Sequence, residues 1–442
     1  MTLHVHTVLT SNTEEMSNPI SLKANKKAVA LVECRGYYPK SVRESVERGI
    51  ELLGGIGKYV RRGEKLILKP NLLIPASAES AVLTHPAVFQ AVGEIFSDAG
   101  AGLLWGDSPA VGTPPMAARQ CGILGVAKRL GMKPADFSRA EKTELPNGFS
   151  NKSFRIARGL AEADGVISIP KMKTHGLMKL TGALKNSFGC LPGFQKSEYH
   201  LRFRNRADFA LMLIDLDSLV APRLYIMDGV VAMEGQGPRS GDPKRMNVIL
   251  IGTNPFAVDT VFARLVNINP RLVPCLAEAE KIHNEAVNNR QKTNTAVGRQ
   301  NRNVSESRNP EPNSIDRQMS ESPHLNPSGF FDTSELEILG DPIDEFIDPS
   351  FKIDRSPVRE PSDTPLVRFA RNLIIKKPKI IPERCVKCGL CVQVCPTSPK
   401  SVDFNSPAVK TEPPVFNYST CIRCYCCHEV CPSKAIELRS FF

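Results

Sequence analysis

C-V-K-C-G-L-C-V-Q-V-C-P at residues 385–396 and C-I-R-C-Y-C-C-H-E-V-C-P at residues 421–432 are two copies of one pattern. Each sets Cys-x2-Cys-x2-Cys-x3-Cys ahead of a proline. Together they use eight of the thirteen cysteines: Cys385, Cys388, Cys391 and Cys395, then Cys421, Cys424, Cys427 and Cys431. Three thiolates separated by two residues each can wrap one face of an iron–sulfur cubane, while the fourth is carried away from it. A pair of zinc knuckles is the plainer alternative. Zinc sites usually show two separated CxxC pairs, often with histidine, and have no need of a triple CxxCxxC run followed by Cys-Pro. Cys426 is a ninth cysteine in this region and falls in neither set.

The spacing is that of a two-cluster bacterial ferredoxin, in which the fourth cysteine of each copy ligates the other cluster. The ligand sets are therefore expected to cross. Cys385, Cys388, Cys391 and Cys431 would hold one [4Fe-4S] cluster, and Cys421, Cys424, Cys427 and Cys395 the second. Thiolate-bound iron needs reduced cysteines, and Cys34, Cys121, Cys190 and Cys275 show no framework spacing, so a disulfide-built secreted protein is not expected. The first residues hold neither a basic segment followed by an apolar one nor a twin-arginine pair, and no uninterrupted apolar run of about 18 residues occurs later. The expectation is a soluble, cytoplasmic chain with no membrane span.

The 442 residues exceed one ordinary domain, and about 60 suffice for the ferredoxin. The formal charge is +11. Eight thiolates against two cubane cores of charge +2 would lower it to roughly +7. With only 6% aromatic residues and scattered Lys and Arg, a solvated surface is the reading and a nucleic-acid surface is not expected.

Residues 1–25 are polar and aperiodic, and are read as a disordered tail. An α/β domain follows over 26–355. Ala28–Cys34 reads as a strand, Pro39 to about Leu53 as a helix, Lys65–Lys69 as a strand, Pro86–Ala99 as a helix and Gly102–Trp105 as a strand. Further strands are expected at Gly165–Ile169, Leu224–Met227 and Val248–Ile251. This alternation implies an open, mostly parallel sheet with helices on both faces, followed by a small α+β ferredoxin domain over 376–442. Such sheets bind ligands beyond the carboxyl ends of their strands, where Lys69-Pro70-Asn71, Asp107, Lys171 to His175 and Asp228 fall. Gly55-Ile56-Gly57 lacks a third glycine, and Gly57-Lys58 is followed by Tyr59 rather than Ser or Thr, so no NAD or ATP site is read. From about 283 to 328 the chain turns to Asn, Ser, Arg, Glu and Pro, with nine asparagines between Asn284 and Asn326, and is read as a disordered insertion. Residues 356–375 read as a linker. From Leu366 to Ile380, Arg368, Arg371, Lys376, Lys377 and Lys379 make a basic stretch without an acid that connects to the ferredoxin, read as solvated or as docking an acidic redox partner.

Several segments go beyond generic α/β: KPNLL (69–73), THPAVFQAV (84–92), GDSP (106–109), IPKMKTHGLMKLTGALKNSFG (169–189), KSEYH (196–200), MDGVVAMEGQGPRSG (227–241) and NPFAVDTVFARL (254–265). Together they resemble the DUF362 family over roughly 27–352, the 169–189 segment being the most specific. The resemblance implies the fold and the pairing with a C-terminal two-cluster ferredoxin, and names no reaction.

The residues then suggest the chemistry. Lys171, Lys173, His175, Lys185, Lys196 and His200 lie within thirty residues, with Asn71 and Asn186 as possible partners, and such an inventory suits an anion. Lys173 and Lys185 are the candidate anchors for a small anionic substrate, and His175 the candidate proton donor; most of these lysines could equally face solvent. Asp107, Asp228, Glu234 and Asp259 could ligate a divalent metal or act as acid and base, although Asp107-Ser108-Pro109 and Asp228-Gly229 also read as turns. Gly235-x-Gly237 could admit a ligand close to the backbone, or be a plain turn. The function expected is an iron–sulfur oxidoreductase whose clusters feed the α/β pocket. The alternative is a non-enzymatic carrier, sensor or assembly factor whose large domain binds a partner protein or ligand.

Overall fold

The computed structural model describes residues 27–193, 195–285, 288, 336–357, 376–405 and 410–439. The expectations for residues 1–25, most of 283–328 and most of 356–375 fall outside these residues. The large unit is built on a sheet of ten strands. They are β1 (Val29–Glu33), β2 (Lys65–Pro70), β3 (Gly102–Trp105), β4 (Lys133–Pro134), β7 (Gly165–Ile169), β8 (Lys171–His175), β9 (Lys179–Thr181), β10 (Leu224–Glu234), β11 (Asp242–Gly252) and β12 (Ile338–Gly340); β5 (Ala140–Glu144) and β6 (Ser153–Ala157) form a separate hairpin. The order is β12-β1-β11-β10-β7-β2-β3-β4, with β8 beside β10 and β9 beside β8. From β4 through β10 the pairs are parallel, whereas β11 runs antiparallel between β10 and β1. The sheet is thus mostly parallel and open, as the sequence led us to expect.

Alternation along each strand divides the core in two. Val29 and Leu31 pack with the helices Arg206–Val220 and Pro255–Leu265, while Ala30, Leu66 and Leu68 pack with Pro39–Leu52 and Pro86–Asp98 on the other face. Each fully buried aliphatic or phenyl side chain contributes about 1.5–3 kcal/mol. Helix starts are chemically marked. Pro39, Pro86, Pro114 and Pro255 each open a helix, where a missing N–H costs nothing, and Asn205, Asn254 and the His85 ring accept from first-turn N–H groups.

The C-terminal unit is a pseudo-repeat. β13 (Lys377–Ile380) pairs with β16 (Ile436–Arg439), and β14 (Val402–Asp403) with β15 (Val415–Phe416). The helices Leu390–Val394 and Cys426–Val430 each carry the third cysteine of one copy of the motif, Cys391 and Cys427. Left-handed backbone recurs in register: Lys387 and Gly389 in the first copy, Arg423 and Tyr425 in the second. Tyr425 is a bulky residue for that conformation. Its ring is buried in the large unit's core and its hydroxyl donates to Lys376 O at 2.8 Å, so the surroundings hold it there.

The strands were legible at their apolar centres and longer in fact. β10 extends to Glu234, so Asp228-Gly229 is not a turn but strand, with a bulge between Gly229 and Val231. The Lys171–His175 stretch is itself a strand rather than a strand-end loop.

Chain direction defines a crevice. From β2 the chain moves outward to β3 and β4, then returns to the other side of β2 as β7, so the strand order reverses between β2 and β7. At the ends of β2 and β3, Lys69 Nζ donates to Asp107 Oδ1 at 2.8 Å, fully buried, and Gly189 closes over the pair. A Cβ on Gly189 would stand 1.8 Å from Asp107 Oδ1 and 2.8 Å from Lys69 Nζ. Gly189→Ala should therefore lower stability by about 1–3 kcal/mol in denaturant titration. Gly57→Ala, whose new Cβ meets nothing within 4 Å, should stay within about 0.5 kcal/mol. Equal midpoints for the two variants would show that the close approach is not a constraint.

Candidate functional site

At that crevice lies a cavity. Asn71, Asp107 and Ser108 reach it from the ends of β2 and β3, Lys173 from β8, and Lys185 and Asn186 from the short helix Ala183–Asn186. Lys196 and His200 enter from the helix Gln195–Arg202. The opposite wall belongs to the other unit: Val394, Cys426, Glu429 and Val430.

Each lysine was predicted from its place in the sequence, and the fold sorts them. Lys171 is spent elsewhere: its Nζ donates to Asp228 Oδ2 and to the Tyr37 hydroxyl, both at 2.8 Å. Lys173 is buried, and its Nζ donates to Asn71 Oδ1 and Val82 O, both at 2.8 Å. Lys196 donates to Leu191 O at 2.7 Å. Lys185 Nζ lies 5.2 Å from the centroid of the Phe188 ring, and no hydrogen bond among the described residues holds it. Burial drives the proton affinity of all three cavity lysines down. Lys173 falls well below the usual lysine range, helped by Lys185 and Lys171; Lys185 falls despite Glu429; Lys196 falls to about 7 despite Asp107.

His175 does not line the cavity. Its Nδ1 accepts from the Leu177 and Met178 N–H groups at 3.1 and 3.2 Å, which leaves the proton of the neutral ring on Nε2. Nε2 lies 3.1 Å from Glu429 Oε1, out of line for a hydrogen bond. Burial takes its pKa down to about 4, and Lys185 adds to that. His200 stacks on Phe209 with ring centroids 4.3 Å apart; its buried Nδ1 has no partner among the described residues, and burial takes its pKa to about 3. Burial opposes charge on Glu429 too, yet His175, Lys185 and His200 hold its carboxyl well below the usual range.

The four acids proposed as a metal set do not meet as one. Asp107 takes Lys69 and the Leu72 N–H; Asp228 takes Lys171, the Tyr37 hydroxyl and the His85 N–H. Glu234 accepts from Lys352 N at 2.8 Å, and Asp259 from the Ala183 and Leu184 N–H groups at 2.6 and 3.2 Å. Each is occupied by a lysine or by backbone donors, which is why strand-end acids mislead when read as ligands. Gly237 N donates to Thr174 Oγ1 at 3.2 Å, so the glycine-rich stretch packs against β8.

The cysteines gather in two further cavities. Cys385, Cys388, Cys391 and Cys431 line one, and Cys395, Cys421, Cys424 and Cys427 the other. The donor chemistry fits an iron–sulfur cluster in each. Burial takes Cys391 up to about 12 and Cys427 well above the ordinary thiol range, so these groups need a cationic core to replace their protons. Ala435 N donates to Cys431 Sγ at 3.2 Å, the kind of contact that steadies a ligating sulfur.

The two units are tied at this place. Gln236 O faces His428 Nε2 at 3.1 Å, Arg239 donates to Pro432 O at 3.1 Å, and Leu438 approaches so closely that a Cβ on Gly176 would stand 2.5 Å from it. Glu429 and Cys426 were missed as cavity residues. The signal was a comparison of the two copies: Cys426, His428 and Glu429 stand where the first copy has Leu390, Val392 and Gln393.

An α/β sheet joined to a cysteine-rich unit with two four-thiol cavities defines an iron–sulfur protein. The sequence matches the domain of unknown function DUF362 over residues 66–264 and a 4Fe-4S dicluster domain over 377–432, and the chain belongs to the DUF362 family. It is 32% identical over 257 residues to the thylakoid-associated protein sll1697 of Synechocystis sp., covering 58% of this chain and 79% of that relative. Among solved structures it is similar to the lactate racemase apoprotein of Thermoanaerobacterium thermosaccharolyticum, at 11% identity and a TM-score of 0.36, over 54% of this chain and 58% of that one. That likeness is too slight to speak to chemistry. Among the described residues no helix is long and apolar enough to cross a membrane.

The depressed Lys196 has a pH signature. Its folded pKa of about 7 lies below the lysine value of 10.5 expected of the unfolded chain, so the unfolded state binds more protons between those values and stability rises with pH across that window. Below pH 7 the burial cost of the charged form is fully present. Lys196→Met should remove this contribution. We expect the difference in denaturation midpoint between variant and wild type to shrink as pH rises from 7 to 10.5; a constant difference would place Lys196 in water.

Proposed function

We propose that the ferredoxin unit passes electrons to a small anionic substrate held in the lysine-lined cavity. The cofactors in this reading are two [4Fe-4S] clusters, one on Cys385, Cys388, Cys391 and Cys431, the other on Cys421, Cys424, Cys427 and Cys395. When bound, such clusters supply one-electron transfer. One observation carries the reading: the helix Cys426–Val430 contributes Cys427 to a four-cysteine cavity and Cys426, Glu429 and Val430 to the lysine cavity, so a single helix walls both.

In this reading Lys173 and Lys185 anchor the substrate anion. Lys173, fixed between Asn71 and Val82, sets position, and Lys185, which no hydrogen bond among the described residues holds, supplies the second ammonium. His175 acts at one remove, through Glu429, which lies 3.1 Å from its Nε2 and lines the cavity. The first cysteine set suits contact with an external redox partner, because Cys388 is exposed and the neighbouring Val386 is 63% exposed.

Crossed ligation is tested by pairing substitutions. Cys385→Ser with Cys431→Ser removes two ligands of one crossed set, so the anaerobically reconstituted double variant should keep about four irons of about eight. Loss of both clusters would mean that the sets do not cross. Electron delivery is tested by reducing the holoprotein without oxygen and adding fractionated metabolites. We expect one fraction to reoxidise it, and Lys173→Ala to lose that response. Silence from every fraction would move the protein to the carriers, sensors or assembly factors.

A further inference from the structure

The cavity's charges do not balance. Lys173, Lys185 and Lys196 bring three ammonium groups to its walls, against the carboxylates of Asp107 and Glu429. Asp107 is matched by Lys69. The nearby Lys171 is matched by Asp228. Lys173 and Lys196 find only neutral acceptors, and Lys185 finds none among the described residues. With every one of these groups charged, two positive charges are left over. Two polar atoms besides Lys185 Nζ are unspent. Among the described residues His200 Nδ1 is buried without a partner, and the Ser108 hydroxyl, which accepts from Gly193 N at 3.2 Å, has no acceptor for its own proton.

We propose that the cavity takes a compact doubly charged anion, a dicarboxylate or a phosphoryl group, bound between Lys173, Lys185 and Lys196. This rests on the reading of the cavity as an anion site and adds to it the charge of the occupant. A dianion neutralises the surplus, whereas a monoanion leaves one ammonium uncompensated at low dielectric, where such a deficit is costly. The lowered proton affinity of all three lysines is the expected condition of the site without its anion. Glu429 on the opposite wall disfavours any ligand that turns negative charge toward it, so the anionic groups should face the α/β wall and a hydroxyl or N–H should face Glu429 Oε1, which has no aligned donor.

The test is calorimetric titration of the anaerobic holoprotein at neutral pH and fixed ionic strength. The probes are sulfate (for a phosphoryl group), malonate (for a dicarboxylate) and acetate as the monoanion. At least one dianion should bind about tenfold or more tightly than acetate, and the better of the two names the occupant's class. Lys185→Met should weaken that dianion by about tenfold or more, while Lys58→Met, exposed and outside the cavity, should not change it. If Lys185→Met loses its iron, Lys196→Met serves as the second variant. Equal binding of acetate and dianions overturns the proposal. So does an absence of dianion binding together with a lowered reduction potential in Lys185→Met, since the lysines would then balance cluster charge rather than a ligand's. A dianion that binds but never reoxidises the reduced protein leaves this inference standing and removes electron delivery. A monoanion that is reduced does the reverse.

Discussion

Burying an ammonium group is the constraint around which the large unit is arranged. Lys69 at the end of β2 and Lys171 and Lys173 on β8 are all but fully enclosed, where an unpaired charge would cost several kcal/mol. Each answer shapes a different part of the fold. Asp107 meets Lys69 and thereby fixes the chain after β3 against β2, with Gly189 kept small above the pair. Asp228 meets Lys171 in mid-strand and also gathers Tyr37 and the backbone that opens the helix at Pro86. Lys173 is given amide and carbonyl oxygens rather than a carboxylate, so its charge is held in place without being cancelled. The first two arrangements are structural, and the third leaves something for a ligand to do.

How far the sequence disclosed this depends on range. Apolar runs such as Lys65–Lys69 and Gly165–Ile169 are periodic within a few residues, and they became strands where expected. The cysteine spacing carries its chemistry locally in the same way. The ends of β10 and β11 were hidden because their outer halves carry glycine, proline and charge, which read as loop until a partner strand is known to lie alongside. Site residues divide along the same line. Lys173 and Lys185 could be nominated from composition, but whether a lysine is paired is decided by residues such as Asp228, distant in the chain, and no local pattern distinguishes Lys171 from Lys173.

His175 shows the limit most directly. It follows two lysines in a strand, which made it look like their companion at the site. Strand alternation would put Lys171, Lys173 and His175 on the same side, yet the β8 to β9 hairpin turns just beyond it, and the Leu177 and Met178 N–H groups close on Nδ1. The ring is thereby committed to holding the turn with one nitrogen and facing Glu429 with the other. Its role is defined by a residue some 250 positions away.

The two cysteine copies are alike in spacing and unlike in what lies between the cysteines, and the difference follows from where each helix faces. Leu390–Val394 carries leucine, valine and glutamine around Cys391, and among these only Val394 reaches the cavity. Cys426–Val430 is buried along its whole length, partly within its own unit and partly against the large one, so a polar residue on it must find a partner. His428 finds Gln236 O and Ile436 O, and Glu429 finds the lysines and histidines at the carboxyl ends of the sheet. Neither residue would be tolerated there if the unit stood alone with the same helix face dry, and neither is required by the cysteine spacing. Their presence in one copy and not in the other marks the second copy as the one shaped by docking. The junction is therefore part of the site: its opposite wall is supplied by the same short helix that carries Cys427.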